Sequence, residues 1–126
     1  MYANPMKAYE TVHQMTMPGR EIEAAVLSKA AGKLEHCQRV WEDAERDALL
    51  EEALKFNQKV WSIFQAELAD EANPLPRKLR WDILRLGSFI DRRILEVMAA
   101  PAPEKLNIII NINRNLAAGL RGSPRD

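Results

Sequence analysis

The feature that most constrains the fold is a pair of prolines, Pro74 and Pro76, which lie one residue apart in a chain of 126 residues. Proline lacks a backbone N–H and disfavours helical geometry in the residue before it. No helix is therefore expected to continue through Asn73-Pro74-Leu75-Pro76. Further boundaries are predicted at three other prolines: Pro18, Pro101 and Pro103. A chain of this length corresponds to one domain, which the prolines divide into short segments.

Within these segments, apolar residues recur at steps of three and four, the period of an amphipathic helix. A short N-terminal helix is predicted from Asn4-Pro5 towards His13. A second helix begins at Pro18 and has the stripe Ile22, Val26, Ala30, Leu34, Cys37 and Trp41. A third, capped by Asp43, has the stripe Leu50, Ala53, Leu54, Asn57, Val60, Trp61, Phe64 and Leu68. A fourth, from about Pro76 to Met98, has the stripe Leu79, Ile83, Leu86, Ile90, Ile94 and Val97.

The segment from Leu106 to Ile112 fits two structures. Its isoleucines alternate as in a strand, but with Asn113, Leu116 and Leu120 it also follows a helical stripe. No second strand candidate exists to pair with it, and a lone strand would leave its backbone groups without partners. We therefore expect a fifth helix that begins at Pro103. The predicted fold is an all-α antiparallel bundle of four main helices plus the short N-terminal one, over residues 1–120, with a frayed tail at 121–126.

Composition excludes several classes of protein. The chain has 18 Lys and Arg against 18 Asp and Glu, a net charge of +0, which disfavours a general polyanion binder. Cys37 is the single cysteine, so no intrachain disulfide can form, and this fits a reducing compartment. No apolar run approaches the length of about 20 residues that a membrane helix needs, and no secretory signal is visible. We expect a cytoplasmic protein without membrane insertion.

The sequence contains no recognisable catalytic motif. His36 and Cys37 are adjacent and diverge by about 100° on a helix, so they are poorly placed to share a metal ion. Neither a nucleophile elbow nor a glycine-rich phosphate loop is present. We predict no catalytic residues, no metal site, no cofactor and no enzyme activity. Gly32 and Gly87 fall inside predicted helices, where each costs about 1 kcal/mol, and this indicates close helix packing at both positions.

Two helices carry more apolar residues than one buried stripe needs. Trp81, Leu84 and Leu95 lie outside the stripe of the fourth helix, and Ile108 and Ile112 lie outside that of the fifth. A helix that is apolar on more than one side is either deeply buried or used for association. These five residues are therefore either central core residues or the lining of a groove for a partner's amphipathic helix.

Charge is divided unevenly along the chain. Residues 1–72 hold 13 acids and 8 bases, a net of −5, whereas residues 73–126 hold 5 acids and 10 bases, a net of +5. The halves can attract each other within the bundle, or the second can present a basic face to an acidic partner. The candidates for that face are Arg77, Lys78, Arg80, Arg85 and Arg92. Lys78, Arg85 and Arg92 recur at seven-residue steps, although the negative charge of Asp82 reduces the positive charge along this row.

An ordered series of short motifs extends over nearly the whole chain. It comprises Met17-Pro18-Gly19-Arg20-Glu21-Ile22, Ala53-Leu54-x-Phe56-Asn57-Gln58-x-Val60-Trp61, Asn73-Pro74-Leu75-Pro76, Phe89-Ile90-Asp91-Arg92-Arg93, Pro103-Glu104-Lys105-Leu106 and Ala117-Ala118-Gly119-Leu120. In this series the chain resembles the flagellar biosynthesis regulator FlaF, from Met1 to about Leu120. The resemblance brings no catalytic motif with it.

The resemblance implies a cytoplasmic accessory protein for flagellin synthesis and secretion. Its implied partner is flagellin, and the companion regulator FlbT is a second candidate partner. The mechanism that fits best is a small bundle that holds a helical flagellin segment before export and shields it from self-assembly. The alternative is an RNA-binding regulator that uses the basic face on flagellin message. It is less favoured because exposed aromatics for base stacking are lacking apart from Trp81.

Overall fold

The computed structural model describes the backbone of residues 5–122 and the side chains of residues 20–122. This part of the chain is all helical and contains no strand. Its elements are α1 (Pro5–Arg39), α2 (Arg46–Ala69), α3 (Arg77–Ala99), a 3-10 helix (Pro103–Leu106) and α4 (Asn107–Leu120). The all-α class, four main helices and the helical structure of the 106–112 segment are confirmed. None of the described helices combines the length and apolarity that crossing a membrane requires.

The predicted short N-terminal helix is not a separate element. Helix α1 runs without interruption from Pro5 to Arg39, so the boundary predicted at Pro18 is wrong. A proline inside a helix removes one backbone hydrogen bond and clashes with the preceding turn at a cost of about 3 kcal/mol. A helix of 35 residues keeps its hydrogen bonds on both sides of that position. Of the predicted frayed tail, residues 123–126 lie outside the described residues.

Side-chain contacts show that three pairs of packed helices run antiparallel. Helix α1 is joined to α2 by Lys33–Glu52 (3.1 Å) and by Asn57–Ala30 (3.2 Å). It is joined to α4 by Gln38–Asn107 (2.7 Å) and by Arg121–Ser28 (3.3 Å). Helix α2 is joined to α3 by Gln65–Asp91 (3.2 Å) and by Arg80–Leu68 (3.0 Å). In each pair the residue number falls on one helix as it rises on the other, so α2 and α4, both antiparallel to α1, run parallel to each other. They lie diagonally, because each packs on α1 and α3 rather than on the other.

The core confirms the stripes predicted for the third and fifth helices. Every residue of the α2 stripe is buried, from Leu50 to Leu68. On α4 the buried residues are Ile109, Ile110, Asn113, Ala117 and Leu120, directly after buried Leu106, and Leu116 is half-buried. Cys37 is buried as a free cysteine, as expected for a small core residue.

Two of the buried residues are asparagines, and they form one hydrogen-bonded network with Trp61. The Asn57 amide donates to the carbonyl oxygens of Ala30 (3.2 Å) and Ala53 (2.9 Å). The Asn113 amide donates to Asn57 Oδ1 (2.7 Å), and Trp61 Nε1 donates to Asn113 Oδ1 (2.8 Å). Because both side chains are fully buried, these bonds replace the water that burial removed. The network ties α1, α2 and α4 together at the centre of the bundle.

The stripes predicted for α1 and α3 are confirmed at most positions and wrong at three. The confirmed buried residues are Ala30, Leu34, Cys37, Ile83, Ile90, Ile94 and Val97. Ile22 is 64% exposed, and Leu79 and Leu86 are also exposed, so their placement in the core is wrong. On α3 the corresponding buried positions are Arg80 and Gly87. Both helices carry surplus apolar residues, so hydropathy alone does not select the buried side. On α3 that side is the one that lets Gly87 approach α2.

Gly87 and Gly32 have different surroundings. A Cβ at Gly87 would lie 2.7 Å from Gln65 Nε2 and 3.2 Å from Trp61 Cε3, so α3 packs closely on α2 there. A Cβ at Gly32 would meet nothing within 4 Å. The expectation of close packing is confirmed at Gly87 and wrong at Gly32, which faces a shallow depression between α1 and α2.

We expect opposite effects from the same substitution at these two glycines. Gly87→Ala should lower the free energy of unfolding by about 1–2 kcal/mol, because strain against the Trp61 ring outweighs the gain in helix propensity. Gly32→Ala should raise it by up to about 1 kcal/mol. Urea unfolding of both variants measures the difference. An equal gain in both variants would show that Gly87 is not a close-packing position.

Candidate functional site

The five apolar residues predicted as core or groove do not form one surface. Trp81, Leu95 and Ile108 are exposed, and Leu84 and Ile112 are half-buried against the core. On α3, Asp91 faces α2, because its Oδ2 accepts a hydrogen bond from Gln65. At 100° per residue, Trp81, Leu84 and Leu95 all lie within roughly 80° of Asp91. This group therefore lies on the side of α3 next to α2.

Ile108 and Ile112 lie elsewhere, on the side of α4 that faces away from α1. Arg114 marks the opposite side, since its guanidinium binds the Glu35 carboxylate on α1. That bond holds the pKa of Glu35 below its usual value. Ile108 and Ile112 are roughly 120° and 160° from Arg114 around the helix. They are on the same side as Leu116, four residues further on.

A cleft opens between α3 and α4, which touch each other over only a short stretch. It contains a cavity of about 150 Å³ near the loop between α2 and α3. The apolar lining residues are Phe64, Leu68, Leu75, Ile83, Leu116 and Leu120, and the charged ones are Arg20, Glu23 and Glu67. Four helices and a loop thus contribute to this cavity, which we call the α3–α4 cleft.

Exposed and half-buried apolar residues extend both walls of the α3–α4 cleft. On α3, Arg93 Nη1 donates to the carbonyl oxygen of Lys105 (3.1 Å), so this side of the helix faces the segment that leads into α4. Leu86 and Leu79 precede Arg93 by seven and fourteen residues and therefore lie on the same side. On the α4 wall, Ile112 and Ile108 continue the line of Leu116. We call Leu79, Leu86, Ile108 and Ile112 the cleft walls.

The two carboxyl groups in the cleft interact directly. Burial, a hydrogen bond to the Glu67 carboxyl and the like charge of Glu67 together raise the pKa of Glu23 to about 7, against the smaller opposing effect of Arg20. Ionising both of two neighbouring carboxyl groups costs free energy because the charges repel, so the pair retains a proton up to neutral pH. The cleft therefore offers an apolar surface with an acidic pair at one end.

The five basic candidates are not equally accessible. Arg77, Lys78, Arg85 and Arg92 are exposed, but Arg80 is only 8% exposed. Its Nη1 donates to the carbonyl oxygens of Leu68 (3.0 Å) and Asp70 (3.1 Å), so its placement on an accessible basic face is wrong. Asp82 pairs with Lys78 (3.3 Å) and Arg85 (2.6 Å). These ion pairs reduce the positive potential of the row.

His36 and Cys37 lie on different sides of α1. His36 is exposed and Cys37 is buried, and burial raises the pKa of the Cys37 thiol. Within residues 20–122, no three His, Cys, Asp or Glu side chains are placed to hold a metal ion.

The sequence did not indicate Glu23, Glu67 or Leu75 as parts of a site. They come from α1, α2 and the proline loop, and they meet only because α1 and α2 run antiparallel. The one available signal was an apolar residue, Leu75, between two prolines at a turn where a polar residue is usual.

These features define a small helical-bundle protein with an apolar cleft, whose described residues assemble no metal site. A family model described as flagellar protein FlaF matches residues 5–120, nearly the whole chain. The chain belongs to the FlaF family, and the resemblance found in its motifs is confirmed. Comparisons with curated proteins and with solved structures gave no match.

Proposed function

We propose that this flagellar protein supports flagellin synthesis and secretion by binding a helical segment of flagellin in the α3–α4 cleft, as an export chaperone does, and that it acts by binding rather than catalysis. The observation that carries the proposal is the cleft itself, whose walls carry leucine and isoleucine side chains on two helices that touch each other over only a short stretch. FlaF membership supports a flagellar role, and flagellin is the partner we assign to the cleft.

A helical partner suits the shape and chemistry of these walls. The cleft walls are apolar, and residues four or seven apart stand in line on each helix. An amphipathic helix laid between them would bury its own apolar stripe against both walls. Burial of this kind is driven by removal of apolar area from water and depends little on salt. It would also cover the flagellin surface that otherwise drives self-assembly.

Leu86 and Leu95 provide a matched test, because they lie roughly 180° apart on α3 and both are exposed. Leu86→Ala should weaken flagellin binding by about tenfold, or about 1.4 kcal/mol, as expected for an interface leucine that becomes buried. Leu95→Ala should leave binding unchanged. Calorimetric titration of purified flagellin into each variant gives the affinities, and melting temperatures close to that of the parent exclude unfolding as the cause.

The same experiment distinguishes the other surfaces. A loss of binding in Leu95→Ala or Trp81→Ala, with Leu86→Ala unaffected, would move the binding surface to the side of α3 next to α2. Binding of flagellin message that weakens steeply with salt, without flagellin binding, would favour the RNA-binding alternative. The pairing of Asp82 with Lys78 and Arg85 argues against that alternative, since two of its cations already have partners.

A further inference from the structure

The α3–α4 cleft holds a carboxyl pair that a purely apolar groove would not need. Glu23 on α1 and Glu67 on α2 line the same cavity as Phe64 and Leu68. Holding the half-buried Glu23 against the exposed Glu67 costs free energy, because burial of Glu23 disfavours its charged form and the two like charges repel. With its pKa raised to about 7, the Glu23 carboxyl relieves this cost by keeping its proton up to neutral pH beside Glu67.

The remaining elements around the cavity contribute no opposing charge beyond Arg20. On its own helix Glu23 is faced by Arg20, and across from it by Glu67. The lining residues from α3, α4 and the loop are uncharged: Ile83, Leu116, Leu120, Asn73, Pro74 and Leu75. With both carboxylates ionised, the charged lining groups sum to one negative charge. The cleft therefore favours a ligand that brings a cation together with apolar surface.

Resting on the proposed function, we propose that the flagellin segment inserts a lysine or arginine side chain into the α3–α4 cleft, where its cationic group pairs with Glu23 and Glu67. The apolar stem of such a side chain packs against Phe64 and Leu116, and its charged end reaches the acids. The cavity of about 150 Å³ is of the size that one side chain occupies. On binding, the Glu23 proton leaves to solvent and the incoming cation takes its place.

This exchange makes flagellin affinity depend on pH with a definite sign. The carboxyl pair holds its proton below the raised pKa of Glu23, about 7, and loses it above. Since the cation binds the ionised pair, affinity should rise by about tenfold between about pH 6 and about pH 8. The test is titration of purified flagellin at both pH values into the wild-type protein and into Glu67→Gln and Glu71→Gln. Glu71 is exposed in the adjacent loop and does not line the cavity, so it is the matched control.

We expect Glu67→Gln to bind several-fold more weakly at the higher pH and to lose most of the pH dependence, while Glu71→Gln behaves as wild type. Replacing the inserted basic residue of flagellin with glutamine should remove the same pH dependence. Binding that depends on Leu86 but is equal at both pH values and unaffected by Glu67→Gln would overturn this inference and leave the proposed function intact. Absence of flagellin binding at either pH would overturn the proposed function itself.

Discussion

Asn113→Ala is expected to lower the free energy of unfolding by about 3–5 kcal/mol, the largest effect of any single change considered for this protein. The substitution leaves Trp61 Nε1 and Asn57 Oδ1 buried without partners, and each orphaned group costs about 1–3 kcal/mol. It also opens a cavity at a position that is fully buried between three helices. Guanidinium unfolding followed by far-UV circular dichroism measures the loss.

Asn115 supplies the control, because it is an exposed asparagine on the same helix. Asn115→Ala should change the free energy of unfolding by no more than about 0.5 kcal/mol. A second variant, Asn113→Leu, keeps most of the side-chain volume and isolates the hydrogen-bonding contribution at about 2–3 kcal/mol. If Asn113→Ala cost no more than Asn115→Ala, the network would not hold the three helices together.

The same asparagines show what helical periodicity can predict. Asn57 and Asn113 fall on the apolar stripes of α2 and α4, so the sequence places both in the core. Period alone does not reveal that they bond to each other across 56 positions of chain, or that Trp61 joins them. Such pairing depends on which helices lie diagonally, and that follows from packing between distant segments.

On α3 the predicted burial of Leu79 and Leu86 was wrong for a different reason. Leu79 and Leu86 continue the apolar period as well as any core residue, while Arg80 and Gly87 look unsuitable for burial. The structure buries Arg80 and Gly87 because the C-terminal end of α2 needs a hydrogen-bond donor and because Trp61 needs space on α3. Such a requirement of the neighbouring helix cannot be read from the sequence of α3 alone. The displaced leucines then become the α3 wall of the cleft.

The candidate site was predictable only in part. Ile108 and Ile112 were identified as surplus to the core stripe, and both lie on the α4 wall. Their counterparts on α3 were sought at Trp81, Leu84 and Leu95, on the side that faces α2 instead. The two sides of α3 differ because Leu79 and Leu86 were assigned to the core and are exposed, while the rest of that stripe, Ile83, Ile90, Ile94 and Val97, is buried as predicted.

Arg80 provides the second prediction of a large effect. The last four carbonyl oxygens of a helix lack partners within it, and a cation there also interacts favourably with the helix dipole. Arg80 does this for α2 while almost fully buried, bonding to Leu68 and Asp70. Arg80→Ala removes two charge-assisted hydrogen bonds and should lower the free energy of unfolding by about 2–3 kcal/mol. Urea unfolding at constant pH measures this loss.

Arg85→Ala is the control, because Arg85 is exposed and its ion pair with Asp82 contributes at most about 1 kcal/mol. Arg80→Lys keeps the positive charge but loses the planar guanidinium, so it should recover only part of the stability.

Equal stability of Arg80→Ala and Arg85→Ala would show that the C-terminal end of α2 needs no side-chain donor. Arg80 also binds the carbonyl oxygen of Asp70, where the loop that carries Leu75 into the cleft begins, so Arg80→Ala should weaken the proposed flagellin binding although Arg80 does not line the cavity. A test of the RNA-binding alternative therefore has to change Arg77 and Arg92, whose exposed side chains can be removed with the bundle intact.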